Sequence, residues 1–237
     1  MDTTTVLLVV GGIALVIAVA GVAWFVEKKR REALVGLAGA NGWTIDERDD
    51  RWTTSFEGAP FNIGHNRQAR NVMTGRHDGR PFVGFDYVYY TTEWDTDSNG
   101  HRRKKEVSHW FSVLGLEIGA QVPRLEVTPE GFFGRAIGKL LNKDIELESE
   151  EFNRAFTVSS PDRKFAYDML HPRLMEYLLT VRDVAWRTSN GWLLTVNNGK
   201  HDAHEIMPRV QVLDTILDMV PDYVREQHGI AGTQELR

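Results

Sequence analysis

Between Val6 and Val26 the chain runs for 21 residues without a charge: VLLVVGGIALVIAVAGVAWFV. At 1.5 Å of rise per residue such a run reaches about 31 Å as a helix, the thickness of a bilayer's hydrocarbon core. Trp24 and Phe25 stand at its downstream end, where amphipathic rings favour the membrane–water interface. Glu27-Lys28-Lys29-Arg30-Arg31 follows at once. This segment constrains the chain more than any other feature, because a run of this kind is unstable in water unless something apolar covers it.

A cleaved signal peptide would need a basic start, a shorter apolar core and a small-residue cleavage site. The start here, Met1-Asp2-Thr3-Thr4-Thr5, has no Lys or Arg, and the basic cluster lies downstream of the run. An uncleaved transmembrane span is therefore expected. The basic flank sets its orientation: the positive-inside rule places the N-terminus outside and everything from Glu27 onward in the cytoplasm. Lys28, Lys29, Arg30 and Arg31 are read as a lipid-facing anchor, each cation being worth about 1 kcal/mol beside an anionic surface.

The expected organisation is a membrane segment with its anchor over residues 1–31 and a soluble domain over 32–237. The whole chain has 28 Lys+Arg against 33 Asp+Glu, but four of the basic and two of the acidic residues precede Glu32, so the domain carries −7. That balance argues against nucleic acid as a partner. With no cysteine, the chain has no disulfide scaffold, thiolate-held metal or Cys nucleophile.

Sequence patterns beyond the membrane segment predict α+β structure: antiparallel strands and hairpins, short helices and a C-terminal helix. A helical continuation from Glu32 stops at Gly42, extended structure begins at Trp43, and Asp46–Arg51 reads as a charged connector. Asp78-Gly79 is a hairpin signal before the aromatic run Pro81–Thr92, which puts Val83, Phe85, Tyr87 and Tyr89 on one face. The chain turns at Asn99-Gly100 and returns through Glu106–Leu114. Thr128-Pro129-Glu130 has the chemistry of a helix start, with Phe133, Ile137, Leu140 and Leu141 on the face of the helix it would open. Asp144–Ser149 alternates acids with Ile145 and Leu147, and Phe152–Ser159 reads as a strand. Ser160-Pro161-Asp162 caps a further helix, Asn190-Gly191 turns a compact hairpin, and the last helix starts near Glu205–Pro208. Regular βαβ alternation, the mark of a doubly wound sheet, is absent.

No known catalytic, cofactor or metal motif occurs. There is no phosphate loop, and Gly131, Gly134 and Gly138 fit a packed helix. There is no G-x-S-x-G and no H-E-x-x-H; His201-Asp202-Ala203-His204 is read as a surface turn. The acids Asp144, Glu146, Glu148, Glu150 and Glu151 are read as a solvated strand face. His101-Arg102-Arg103-Lys104-Lys105 is a basic hairpin tip, read as solvated, with contact to anionic lipid or RNA as the alternative.

The stretches Asp144–Arg154 (DIELESEEFNR) and Phe165–Arg173 (FAYDMLHPR), together with Asn71–Gly75 and Phe85-Asp86-Tyr87, resemble an uncharacterised actinobacterial family of single-span, membrane-anchored proteins. The resemblance implies an N-terminal hydrophobic segment before the domain; the family's function is unknown, so it carries over no activity, cofactor or catalytic residues. Its polar members Glu151, Asn153, Arg154, Asp168, His171 and Arg173 are the candidate cluster, expected to form an Arg–carboxylate network holding the fold. The reading is a cytoplasm-facing binding or scaffolding module of a single-span membrane protein, its partner another envelope protein or the inner leaflet of the membrane. The alternatives are a tethered hydrolase using carboxylates and His171, and a sensor of anionic lipid through Arg102–Lys105.

Overall fold

A computed structural model describes residues 2–96, 102–130 and 145–231. Helix α1 (Thr3–Ala40) is continuous across the expected boundary at residue 31. From Gly11 onward it contains a segment long and apolar enough to cross a bilayer, none of it buried against the rest of the chain. Ile13, Leu15, Val16, Ile17, Val19 and Val22 are all exposed. Three residues past the basic flank the environment changes: Leu34 and, one turn on, Ala38 are buried in the domain core. Gly42 then adopts a left-handed φ of 68° and reverses the chain.

The domain is built on one eight-stranded antiparallel sheet in the order β1-β2-β3-β4-β8-β7-β5-β6. Its strands are β1 (Thr44–Arg48), β2 (His65–His77), β3 (Arg80–Thr96), β4 (Arg102–Glu117), β5 (Glu126–Pro129), β6 (Phe156–Ser159), β7 (Trp186–Ser189) and β8 (Trp192–Asn198). The short helices are α2 (Glu150–Ala155), α3 (Arg163–Met169), α4 (Pro172–Thr180), α5 (Ala203–Asp218) and α6 (Asp222–His228). The α+β architecture expected from the sequence is the one observed.

Strand alternation divides the core in two. On one face Met73, Phe82, Leu114 and Leu116 meet the end of α1 and the helices of the C-terminal half. On the other, Val83, Phe85, Tyr87 and Tyr89 pack with Phe56 and Phe61 from the loop after β1. Trp43, just past the turn that ends α1, stacks on Phe82 at 3.9 Å and donates from Nε1 to the Arg76 carbonyl.

Several local expectations are corrected. The charged connector begins later, because β1 pairs with β2 as far as Arg48. Thr128 and Pro129 do not open a helix there: they end β5, opposite Thr157 and Phe156. Phe152 lies in a helix: Ser149 accepts from the Phe152 N–H, Glu150 and Glu151 fill the first turn, and only Phe156–Ser159 is strand. Those two acids therefore do not belong to a strand face. The helix expected near Glu205–Pro208, α5, starts at Ala203, with Asp202 accepting from the His204 N–H, and Pro208 is carried inside it; the short α6 follows it. The Asn99-Gly100 turn, His101, Asp144 and the helix read through Phe133, Ile137, Leu140 and Leu141, with Gly131, Gly134 and Gly138, lie outside the described residues.

Candidate functional site

The most completely built polar site lies where α1 leaves its apolar segment. Alternation on β3 turns Asp86 toward the helix-covered face, beside Phe82 and away from Phe85 and Tyr87. Its side chain has no exposure to solvent. Arg30, one turn before Leu34 on α1, brings its guanidinium to 2.9 Å from Asp86 Oδ2. Asn71 Nδ2 donates to the same oxygen at 2.9 Å, and the His201 backbone N–H donates to Oδ1 at 2.8 Å. Arg30 also donates to Glu27 at 2.6 Å and to the His201 carbonyl at 3.1 Å. A buried carboxylate is tolerable only when it is paired and hydrogen-bonded, and here three groups from three parts of the chain supply that.

Neighbouring groups extend the clamp. Lys200 reaches Glu27 at 2.9 Å and lies over the Trp110 ring at 4.3 Å. Glu27, held by the hydrogen bond from Arg30 and helped by Lys200 against some burial, has its carboxyl pKa lowered to about 2. The His201 ring is fully enclosed and donates from Nε2 to the Val113 carbonyl at 3.1 Å. Burial pushes its pKa down, opposed by Asp86, so the ring is held neutral. His201 is thus a core residue, which corrects the surface-turn reading for it; Asp202 and His204 are exposed.

The clamp also revises the basic anchor. Arg30 turns into the domain, Arg31 pairs with Glu47 at 3.6 Å and Lys29 with Glu32 at 3.4 Å. Lys28 and Lys29 lie over the Trp24 and Phe25 rings. Nothing in the sequence separates Arg30 from its three basic neighbours except its helical spacing from Leu34 and Ala38.

The six polar candidates do not meet in one place. Glu151 pairs with Arg182 at 3.2 Å and Arg154 with Glu150 at 3.4 Å, both at the surface. Asn153 clips the preceding segment by accepting from the Leu147 N–H and donating to the Leu147 carbonyl. Asp168 pairs with Lys164 and accepts from Tyr223, while Arg173 is exposed on α4. His171 donates from Nε2 to the Met219 carbonyl at 2.9 Å, tying α4 to the end of α5. Among the described residues the six form local ties rather than a network. Two exposed aromatics, Tyr167 and Tyr223, lie beside Asp168.

Two further clusters lie elsewhere. Asp78, Asp214 and Asp218 present carboxylate oxygens within 4.8 Å of one another, a spacing that suits a cation. The buried guanidinium of Arg80 already occupies it, paired with Asp214 and with Asp218 at 2.7 Å. A shallow cleft of about 260 Å³ is lined by Glu126, Thr128, Arg187, Leu194 and Val196 among others. Arg187 there donates to the Ala59 carbonyl at 2.6 Å and lies over the Phe61 ring, and burial pulls its pKa down to about 10. These contacts fasten the Phe56–Phe61 loop. Neither cluster is lined by Glu151, Asp168 or His171, the groups the hydrolase alternative invokes.

No family profile and no curated protein matches this sequence. Among solved structures, the chain is similar to the crystal structure of the mycobacterial trehalose monomycolate transport factor A, TtfA. The two superpose with a TM-score of 0.57 at 14% identity, covering 81% of this chain and 95% of that one. At that identity the likeness is one of fold. It comes from a mycobacterial protein, in keeping with the actinobacterial character of the sequence resemblance.

Proposed function

We propose that this chain is a single-span membrane protein whose α+β domain is a binding or scaffolding module on the cytoplasmic face, held tightly to its span. The observation that carries this reading is the continuity of α1 from the exposed apolar segment into the core, locked by Arg30 on buried Asp86. A catalytic domain on a flexible tether needs no such lock; a module that must present a fixed surface at a fixed height above a bilayer does. The similarity in fold to a mycobacterial transport factor supports an accessory role beside another envelope protein. The surface around Tyr167 and Tyr223 suits such a partner, since aromatic side chains are enriched at interface centres and both are exposed here.

The hydrolase alternative gains nothing from the site geometry, because His171 is engaged with the Met219 carbonyl and Glu151 is paired with Arg182. Photo-crosslinking from position 223 of the full chain in native membranes tests the module. The expected result is one discrete adduct with a membrane protein, lost in Tyr167→Asp while the fold is kept. If no adduct forms from position 223, and His171→Gln of unchanged fold abolishes the chain's cellular role, the hydrolase reading replaces it.

A further inference from the structure

Three contacts fix the direction of the sheet relative to α1. Past the end of the helix, Trp43 stacks on Phe82. Further back, Arg30 reaches Asp86. Nearer still to the apolar segment, Glu27 connects through Lys200 to Trp110, the register partner of Val88. Moving along β3 from Phe82 to Val88 therefore means moving along α1 toward the membrane. The strand does not stop at that level. It continues with β4 as a two-stranded ribbon to Thr96 and Arg102, six residues past Val88 at Trp94, or about 20 Å. Val26, the last residue of the apolar run, is next to Glu27. A headgroup layer is only about 5–8 Å thick on each side, so even a strongly inclined ribbon of this length enters it.

The ribbon's chemistry fits that destination. Register sets Glu93 opposite Lys105 and Asp95 opposite Arg103, so that face balances its own charge. The other face carries Trp94 opposite Lys104 and Thr96 opposite Arg102, the nearest acid on it being Glu106 opposite Thr92, on the domain side. Trp94 is 56% exposed, and the Arg102 guanidinium and Lys104 ammonium lie 5.4 and 5.5 Å from its ring centroid. An exposed indole flanked by cations is the composition of an interfacial anchor at an anionic leaflet. Single-stranded nucleic acid would also stack on such a ring, but the domain's charge of −7 opposes it.

We propose that the β3–β4 ribbon is a second membrane contact, with Trp94, Arg102 and Lys104 seated among anionic lipid headgroups. It fixes the domain's rotation about its span, which one helix alone leaves free. The inference rests on the reading of α1 as a membrane span.

The cysteine-free full chain, carrying Thr96→Cys labelled with an environment-sensitive fluorophore, tests it in nanodiscs of phosphatidylcholine with and without phosphatidylglycerol. Glu226→Cys on α6 is the control. Incorporation into the discs reads out the span; a chain that stays outside them overturns the span and this proposal together. In incorporated protein, phosphatidylglycerol is expected to cut aqueous quenching at position 96 severalfold and leave position 226 unchanged. Arg102→Glu with Lys104→Glu is expected to abolish the protection, two cations at such a surface being worth about thirtyfold in the seated equilibrium. Equal quenching in both discs, or protection by single-stranded RNA but not by anionic lipid, overturns the ribbon contact alone.

Discussion

Arg30→Met keeps most of the side chain's apolar reach and removes its charge, leaving Asp86 with the neutral donors Asn71 Nδ2 and the His201 N–H. Removing one partner of a buried ion pair typically costs about 3–5 kcal/mol, because the other charge remains buried and uncompensated. Arg30 retains 17% side-chain exposure against none for Asp86, which places the expected loss near the lower bound, about 3 kcal/mol. Asp86→Asn is milder, about 2 kcal/mol, since Arg30 keeps Glu27 and the His201 carbonyl. The double variant is expected to lose less than the sum by about 1–2 kcal/mol, the coupling of two groups in contact. The assay is denaturant unfolding of the full chain in detergent micelles, followed by tryptophan fluorescence, with Trp43 and Trp110 close to the clamp. If Arg30→Met loses less than about 1 kcal/mol, or the two substitutions add within about 0.5 kcal/mol, Arg30 does not lock the span to the domain.

Further outcomes follow from other sites. His201 has its pKa depressed by burial in the fold, so the unfolded chain takes up its proton first as pH falls below about 6.5. Its contribution is present above that pH and is lost below it at up to about 1.4 kcal/mol per pH unit; the melting temperature should fall from pH 7 to 5, and His201→Gln should flatten that slope. Glu27, with its pKa lowered to about 2, adds its own loss only below about pH 4.5, so the two windows separate. Gly75→Ala would bring a Cβ to 2.4 Å from the Trp43 indole and 3.2 Å from its Cα, with an expected cost of about 1–3 kcal/mol by chemical denaturation. Arg80→Met should destabilise by about 3–5 kcal/mol and convert the Asp78, Asp214 and Asp218 group into a cation site. Millimolar calcium is then expected to raise the melting temperature of the variant and not that of the native chain.

Much of the architecture was legible because it is written in local chemistry. Asp78-Gly79 and Asn190-Gly191 take positive φ at both positions, as the hairpin turns they signal require. Asp162 caps α3 by accepting from the Phe165 N–H. Where two local signals compete, pattern alone fails. Ser149 followed by two acids is a cap, yet the acidic alternation before it reads as strand. Thr128-Pro129 has cap chemistry, and only pairing with Thr157 and Phe156 makes it strand. The clamp was not legible at all: Arg30, Asp86 and His201 are far apart in sequence, and a run of four basic residues gives no sign that one of them turns inward. The polar candidates were drawn from two neighbouring motifs, but three separate helices direct their side chains to separate partners.

The central claim, a membrane span leading into a cytoplasmic domain, is tested most directly by residue accessibility in intact cells. With no cysteine in the native chain, Asp2→Cys and Glu226→Cys each give a single reactive site without background. The account predicts that an impermeant thiol reagent labels position 2 in intact cells and position 226 only after the membrane is opened. Labelling of position 226 in intact cells would contradict the orientation, and equal behaviour of the two positions would contradict the span itself.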